Sequence, residues 1–295
     1  MTLSSPIEDD QSMPIIESNK LIRIGVGPQL TAYIKDAYHR RHFSIMESRA
    51  RAFGSAKDTM LGQIWLILEP FLSSAMYFII FGFMLGFSRG SENFVAYLVI
   101  GLISFNILQK GLTASSAIEG NGKRLVQSFS FPKIALIFSY TLRIYIDFIP
   151  TGIAMLIFII AMPPHAYPTM TWLIVPIIYL AAAPFIFGLA ALTSTFVVLI
   201  PDLRLLINLF GRFWFYGSGI MWTINMLDGK PIIQDLMRLN PGWVYLEMLR
   251  TSLLSNQMPS VEQWLYLLVW SFGIGMIGFL VMWRSDIAIG KALLR

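Results

Sequence analysis

The chain contains no cysteine, which excludes a disulfide framework and a thiolate metal site. Charge is scarce as well. Asp, Glu, Lys and Arg make up 13% of the residues, about half of what a soluble domain carries. His39, His42 and His165 are the only histidines, and their spacing builds no zinc motif. Residues 1–20 are polar and acidic without an apolar stretch, so no cleavable signal peptide is expected. The segment GNGKR at 120–124 fails as a phosphate loop. That pattern needs Gly at 117 and Ser or Thr at 124, where the sequence has Ala117 and Arg124. Ser218, in GSG at 217–219, has no intramembrane histidine to activate it. Neither catalysis nor a cofactor bound by this chain is expected.

What is abundant is apolar surface. Hydrophobic residues make up 56% of the chain, and its mean hydropathy is +0.64. A membrane-spanning helix needs about 20 mostly apolar residues. Six stretches qualify: 63–87, 94–117, 134–162, 171–199, 203–224 and 263–283. The third is overlong and is expected to tilt or break at Pro150. The fold class is therefore an all-α membrane protein with six transmembrane helices, since hydrocarbon offers no partner to open backbone groups. The net charge of +5 is read as a cytoplasmic bias rather than as a nucleic-acid surface. Most cations fall on one side: Lys20 to Lys57 before the first stretch, Lys123, Arg124 and Lys133 after the second, Arg204 after the fourth, and Arg284 to Arg295 in the tail. The other side has Arg89, Lys230, Arg238 and Arg250. That bias puts both termini in the cytoplasm.

The domain plan follows. Residues 1–29 are read as a flexible N-terminus. In 30–62, Leu30, Tyr33, Ile34, Ala37 and Tyr38 share one helical face, which predicts a basic amphipathic helix on the inner leaflet or on a partner. Residues 63–284 form the membrane domain and 285–295 a cytoplasmic tail. The outer segment 225–262 holds two short apolar pieces, PIIQDLMR and PGWVYLEMLR, the second capped by Asn240 with Pro241 at its first position. Both are too short to span, so two re-entrant outer helices are expected.

Ionisable residues inside spans need a partner or a wet cavity. Arg143 and Asp147 are four apart and suit an intrahelical pair. Lys110 suits snorkelling toward the cytoplasm. Glu69 shares a face with Trp65 and Ser73, where a wet path and a packing face both stand. In FGRFWFYGSGIMW, 210–222, helical spacing gathers Asn208, Phe215, Tyr216 and Trp222 around Arg212, with Phe210 and Trp214 behind. Such a face suits a glycan sliding through a translocation path. Helix packing, and for Trp222 an interfacial aromatic belt, are the other readings.

Residues 47–86 resemble the start of the permease subunits of ABC-type polysaccharide exporters, the type-2 family that handles O-antigen, capsule, teichoic acid or galactan. Leu61, Gly62, Trp65, Leu68 and Pro70 carry that likeness. A second match is Asn121, Leu125, Val126, Phe131 and Pro132, similar to the family's coupling element after span two. PDLR at 201–204 resembles the family's RDL turn, with Pro201 where the arginine usually stands. LNPGWVYLEMLR at 239–250 resembles its outer Asn-Pro element. The resemblance implies a homodimer working with two copies of a separate ATPase, which would hold ATP and magnesium. It implies a lipid-linked glycan substrate, in contact with membrane lipid. By the same likeness, Asn121, Lys123, Arg124, Leu125, Phe131 and Pro132 in the loop 118–133 would meet the ATPase, and Asn240, Pro241 and Trp243 would form an outer gate. An exporter of a lipid or drug, or a membrane-embedded transferase acting on lipid-linked sugar, are the alternatives.

Overall fold

A computed structural model describes residues 29–54, 64–84, 93–115, 118, 132–163 and 165–294, and every regular element among them is helical. At the N-terminal side lie α1 (Leu30–His39) and α2 (Arg41–Gly54). The helix α3 (Ile64–Tyr77) continues into a π-helical turn, Phe78–Met84. Then come α4 (Phe94–Leu112) and α5 (Ile134–Ala161). A 3-10 turn, Met170–Ile174, leads into α6 (Val175–Ala181), followed directly by α7 (Ala183–Leu199). The helix α8 (Leu203–Gly217) is followed by two short helices, α9 (Pro231–Arg238) and α10 (Pro241–Leu253), and by the long α11 (Val261–Leu294).

Local chemistry explains these boundaries. Asn93 caps α4 by accepting the Ala96 amide at 3.1 Å. Pro184 lacks an N–H, and a short break at Ala182 divides the expected 171–199 helix into α6 and α7. The expected break at Pro150 does not occur. The helix α5 runs through it unbroken for 28 residues, roughly 42 Å at the helical rise. That length exceeds the hydrocarbon layer, about 30 Å, and demands tilt.

Packing is organised around α4, which is buried on nearly all sides. Its Ile100, Ile103 and Phe105 meet Ile178 and Tyr245 in the larger core cluster. A second cluster joins Tyr33 of α1 and Ile118 to Ile134, Met282 and Ile289. The helices α7 and α11 approach backbone to backbone: a Cβ on Gly188 would collide with the Ile274 carbonyl, and one on Gly278 with Gly188 itself. Small residues permit such contact where apolar association alone drives little.

Four helical stretches among the described residues are long and apolar enough to cross a membrane: Phe94–Leu112, Ile134–Ala161, Met170–Leu199 and Val261–Leu293. The chain is thus a multi-pass membrane protein. The expected span 203–224 is corrected. The helix stops at Gly217 because the chain turns at Ser218 and passes through Gly219 at φ +63°, a left-handed conformation that suits glycine. The first expected span, 63–87, is described over 64–84 and contains a shorter apolar helix, Ile67–Ile80.

Candidate functional site

Between α3, α4, α5 and α8 lies a cavity of about 290 Å³ with mixed lining. Glu69 and Ser73 come from α3, Asn106 and Lys110 from α4, Asp147 from α5 and Phe215 from α8. The cavity therefore gathers charge at membrane depth, where such groups need partners or water. Asp147 is shared with Arg143, whose Nε stands 3.4 Å from its carboxylate, as the four-residue spacing predicted. Lys110 lines this cavity with Glu69 and Asp147. Phe215 closes the wall, packed edge-on against Phe105 with ring centres 5.6 Å apart.

The face of α8 divides differently from its helical-wheel reading. Gly211, Trp214, Phe215 and Ser218 turn inward; Trp214 meets Phe105 and Phe185 of neighbouring helices, and Phe215 parts from Arg212. Gly211 lies close against α4, where a Cβ would press on the Gln109 side chain. Asn208, Arg212 and Tyr216 are exposed together, among large apolar neighbours such as Leu205 and Phe213. Trp222 lies beyond the helix and so off its face. It folds back instead, its indole N–H donating to the Tyr216 carbonyl at 3.0 Å. Trp65, near the start of α3, is 42% exposed and outside the cavity lining.

The end of α8 is held by its neighbours. A helix leaves its last carbonyls without intrahelical partners. Here Trp214 O accepts the Ser218 hydroxyl at 2.7 Å and Gly217 O accepts the Asn240 amide at 3.0 Å. Asn240 Oδ1 in turn accepts the Trp214 indole N–H at 2.8 Å and the Gly242 amide at 2.9 Å. Just beyond, Gly219 O accepts from the Tyr97 hydroxyl at 3.1 Å and from Arg250 Nη1 at 3.0 Å. Arg250 is only 3% exposed, lies over the Tyr97 ring at 3.4 Å, and also donates to Tyr97 O and Ile220 O. Asn240 caps α10 and Pro241 takes its first position, as the sequence predicts. Trp243 is 8% exposed, packed beside Gly219. The part played by Arg250 was not read from sequence. An arginine amid apolar helical residues was the available signal.

At the opposite end a polar node joins three distant segments. Tyr33 of α1 donates its hydroxyl proton to Asp286 Oδ1 of α11 at 3.0 Å. Lys133, immediately before α5, donates to Asp286 twice, through its amide at 3.1 Å and its Nζ at 2.8 Å. Burial first, and the Asp286 charge second, push the Tyr33 phenol well above its ordinary range and keep it a donor. Leu30, Ile34 and Tyr38, on the rest of the α1 apolar face, remain exposed. Of the expected coupling residues, Pro132 is buried beside this node. Asn121, Lys123, Arg124, Leu125 and Phe131 lie outside the described residues.

No protein-family profile matches the chain. It is similar to an O-antigen export system permease protein RfbA of Klebsiella pneumoniae, 23% identical over 177 residues, 59% of this chain and 66% of that protein. A second protein of that name and organism is 25% identical over 178 residues, again 66% of its length. An O-antigen export system permease protein RfbA of Myxococcus xanthus is 18% identical over 229 residues, 78% of this chain and 86% of the relative. The chain thus spans a little under two thirds of the Klebsiella relatives and most of the Myxococcus one. These likenesses bear out the resemblance to the permease subunits of ABC-type polysaccharide exporters that the sequence carries.

Proposed function

We propose that this chain is the transmembrane subunit of an ATP-driven exporter that moves a lipid-linked polysaccharide across the bacterial cytoplasmic membrane. Two copies would act with two copies of a separate ATP-hydrolysing chain. Each copy would have six spans, with α3 and α8 completing the set and α9 and α10 dipping into the outer leaflet. Both termini would be cytoplasmic. The loop 118–133, with α1 beside its end, would receive the ATPase.

The observation that supports this reading best is the cavity holding Glu69, Lys110, Asp147 and Phe215 at membrane depth. A wall of carboxylates, amide, ammonium and rings serves a polyhydroxyl chain, which exchanges hydrogen bonds and offers C–H faces to aromatic surfaces. Arg212 adds to it. A guanidinium on an exposed intramembrane helix face calls for water or protein beside it. A conduit between two copies meets that need.

A second reading, export of a lipid or drug, draws on a different feature. An apolar groove of about 490 Å³ between α5 and α6 is lined by Tyr145, Ile149, Met155, Trp172 and Leu180. In the glycan reading the same groove would face the bilayer. Depleting the protein and identifying what accumulates decides between them. A lipid-linked polymer trapped inside the cell is the expected result, with an ATPase recovered on purification. Accumulation of a free lipid instead, with normal surface polysaccharide, overturns the glycan reading.

A further inference from the structure

We infer that the cavity between α3, α4, α5 and α8 selects an uncharged sugar unit, so that the polymer passing this point is a neutral glycan; this rests on the exporter reading above. The groups in the wall set the charge. Glu69 and Asp147 contribute carboxylates and Lys110 an ammonium. Arg143 sits on Asp147 from the side. Two cations therefore meet two anions, and the wall is balanced without a ligand. Arg212 cannot tip it, because it lies on the exposed face of α8, away from Phe215.

Balance has a chemical consequence. A uronate or phosphate entering the cavity would exchange part of its hydration for a wall whose two cations are already offset by two carboxylates. A neutral sugar meets no such cost. Carboxylates accept its hydroxyl protons, the Asn106 amide donates and accepts, and Lys110 donates. Phe148 and Phe215 supply flat apolar surface beside those polar groups. The volume, about 290 Å³, lies at the lower bound of small-molecule sites. It suits a short stretch of glycan rather than a folded or branched mass.

The test uses the permease with its ATPase partner in nanodiscs. Three probes are titrated: a neutral mannose hexasaccharide, a hexauronate of equal length, and inorganic pyrophosphate. The neutral probe is expected to bind about tenfold more tightly than the hexauronate, the step that one uncompensated charge produces. Glu69→Gln is expected to raise hexauronate affinity about tenfold relative to the neutral probe. Lys110→Gln should do the reverse, weakening the hexauronate further, and it reads the same balance if Glu69→Gln does not assemble. Equal or tighter hexauronate binding by the unaltered complex overturns the inference. So does displacement of the neutral probe by pyrophosphate, which would give the cavity to a lipid-carrier phosphate. Discrimination that neither variant changes also overturns it, by placing selectivity elsewhere. The exporter reading is judged separately, by ATPase recovery and polymer accumulation.

Discussion

Asn240 Oδ1 accepts a hydrogen bond from the Trp214 indole at 2.8 Å while the same oxygen caps Gly242 of α10. One side chain thus starts the outer helix and grips the end of α8. Asn240→Ala is expected to cost about 1–2 kcal/mol, the range for a lost helix cap. Trp214→Phe keeps the ring and removes the donor, costing about 1 kcal/mol. The double variant should fall short of the sum by roughly 0.5–1 kcal/mol, because the two share one bond. Thermal unfolding in detergent, followed by size-exclusion peak area, measures all three. Strict additivity would show that the pair does not couple.

Arg250 is a second fastening. Its guanidinium serves Gly219 O, Tyr97 O and Ile220 O at once. Arg250→Met leaves buried carbonyls without those donors and is expected to cost about 2–4 kcal/mol. Arg250→Lys should recover little, since a point-like ammonium cannot span the fork geometry. The same unfolding assay reads both, and full rescue by lysine would contradict the account.

Helix contact makes a third prediction. Gly188→Leu would drive a side chain into the Ile274 backbone. Overpacking of this kind costs about 1–3 kcal/mol or more. The α7–α11 contact should loosen, seen as faster cysteine crosslinking decay between engineered positions on the two helices. Gly273, with open space around it, is the control: Gly273→Ala should behave as the parent.

Tyr33 predicts a pH dependence. Its ordinary value is 10.0 and the folded protein holds it higher, by burial and by Asp286. The unfolded chain therefore releases this proton first as pH rises. The stabilisation is complete below pH 10 and is lost progressively above it. Tyrosinate absorbance of the parent minus that of Tyr33→Phe should show no step near pH 10 and a step at more alkaline pH. A difference step at the ordinary position would place Tyr33 in water.

The coupling reading gives the fifth. Lys123→Glu with Arg124→Glu is expected to abolish the stimulation of ATP hydrolysis by substrate while the helices stay folded by circular dichroism. Normal stimulation in the purified complex would remove these residues from the ATPase contact.

Much of the fold was legible because hydropathy over long stretches has few solutions in lipid. The helices α4, α5 and α11 follow from composition alone, and Asn240-Pro241 announced the start of α10. What was not legible is instructive. The expected span ran on to residue 224, because hydropathy and helical spacing cannot sense Gly219 at positive φ. Helical spacing gave Phe215 and Arg212 to one face, since the two are close on a wheel. Packing against Phe105 and Tyr77 separates them by burying the first. Glu69 and Ser73 were placed together by spacing. Their meeting with Asn106 and Asp147 needed helix contacts that no local pattern encodes. The Tyr33–Asp286 bond joins residues 253 positions apart, beyond the reach of any local pattern.

The shortness of α8 bears on how the protein is made. Fifteen residues rise roughly 22 Å, less than the hydrocarbon depth of about 30 Å. In the six-span reading the crossing is finished by irregular backbone around Gly219, which lipid would not tolerate bare. Its carbonyls are covered by Arg250, synthesised later, and by Tyr97, synthesised much earlier. During translation the fifth crossing must therefore wait, unfinished, until α10 emerges and folds back over it. A nascent chain stalled with its last emerged residue between 225 and 240 should leave that crossing exposed to quality-control proteases, whereas one with residue 255 clear of the ribosome should not.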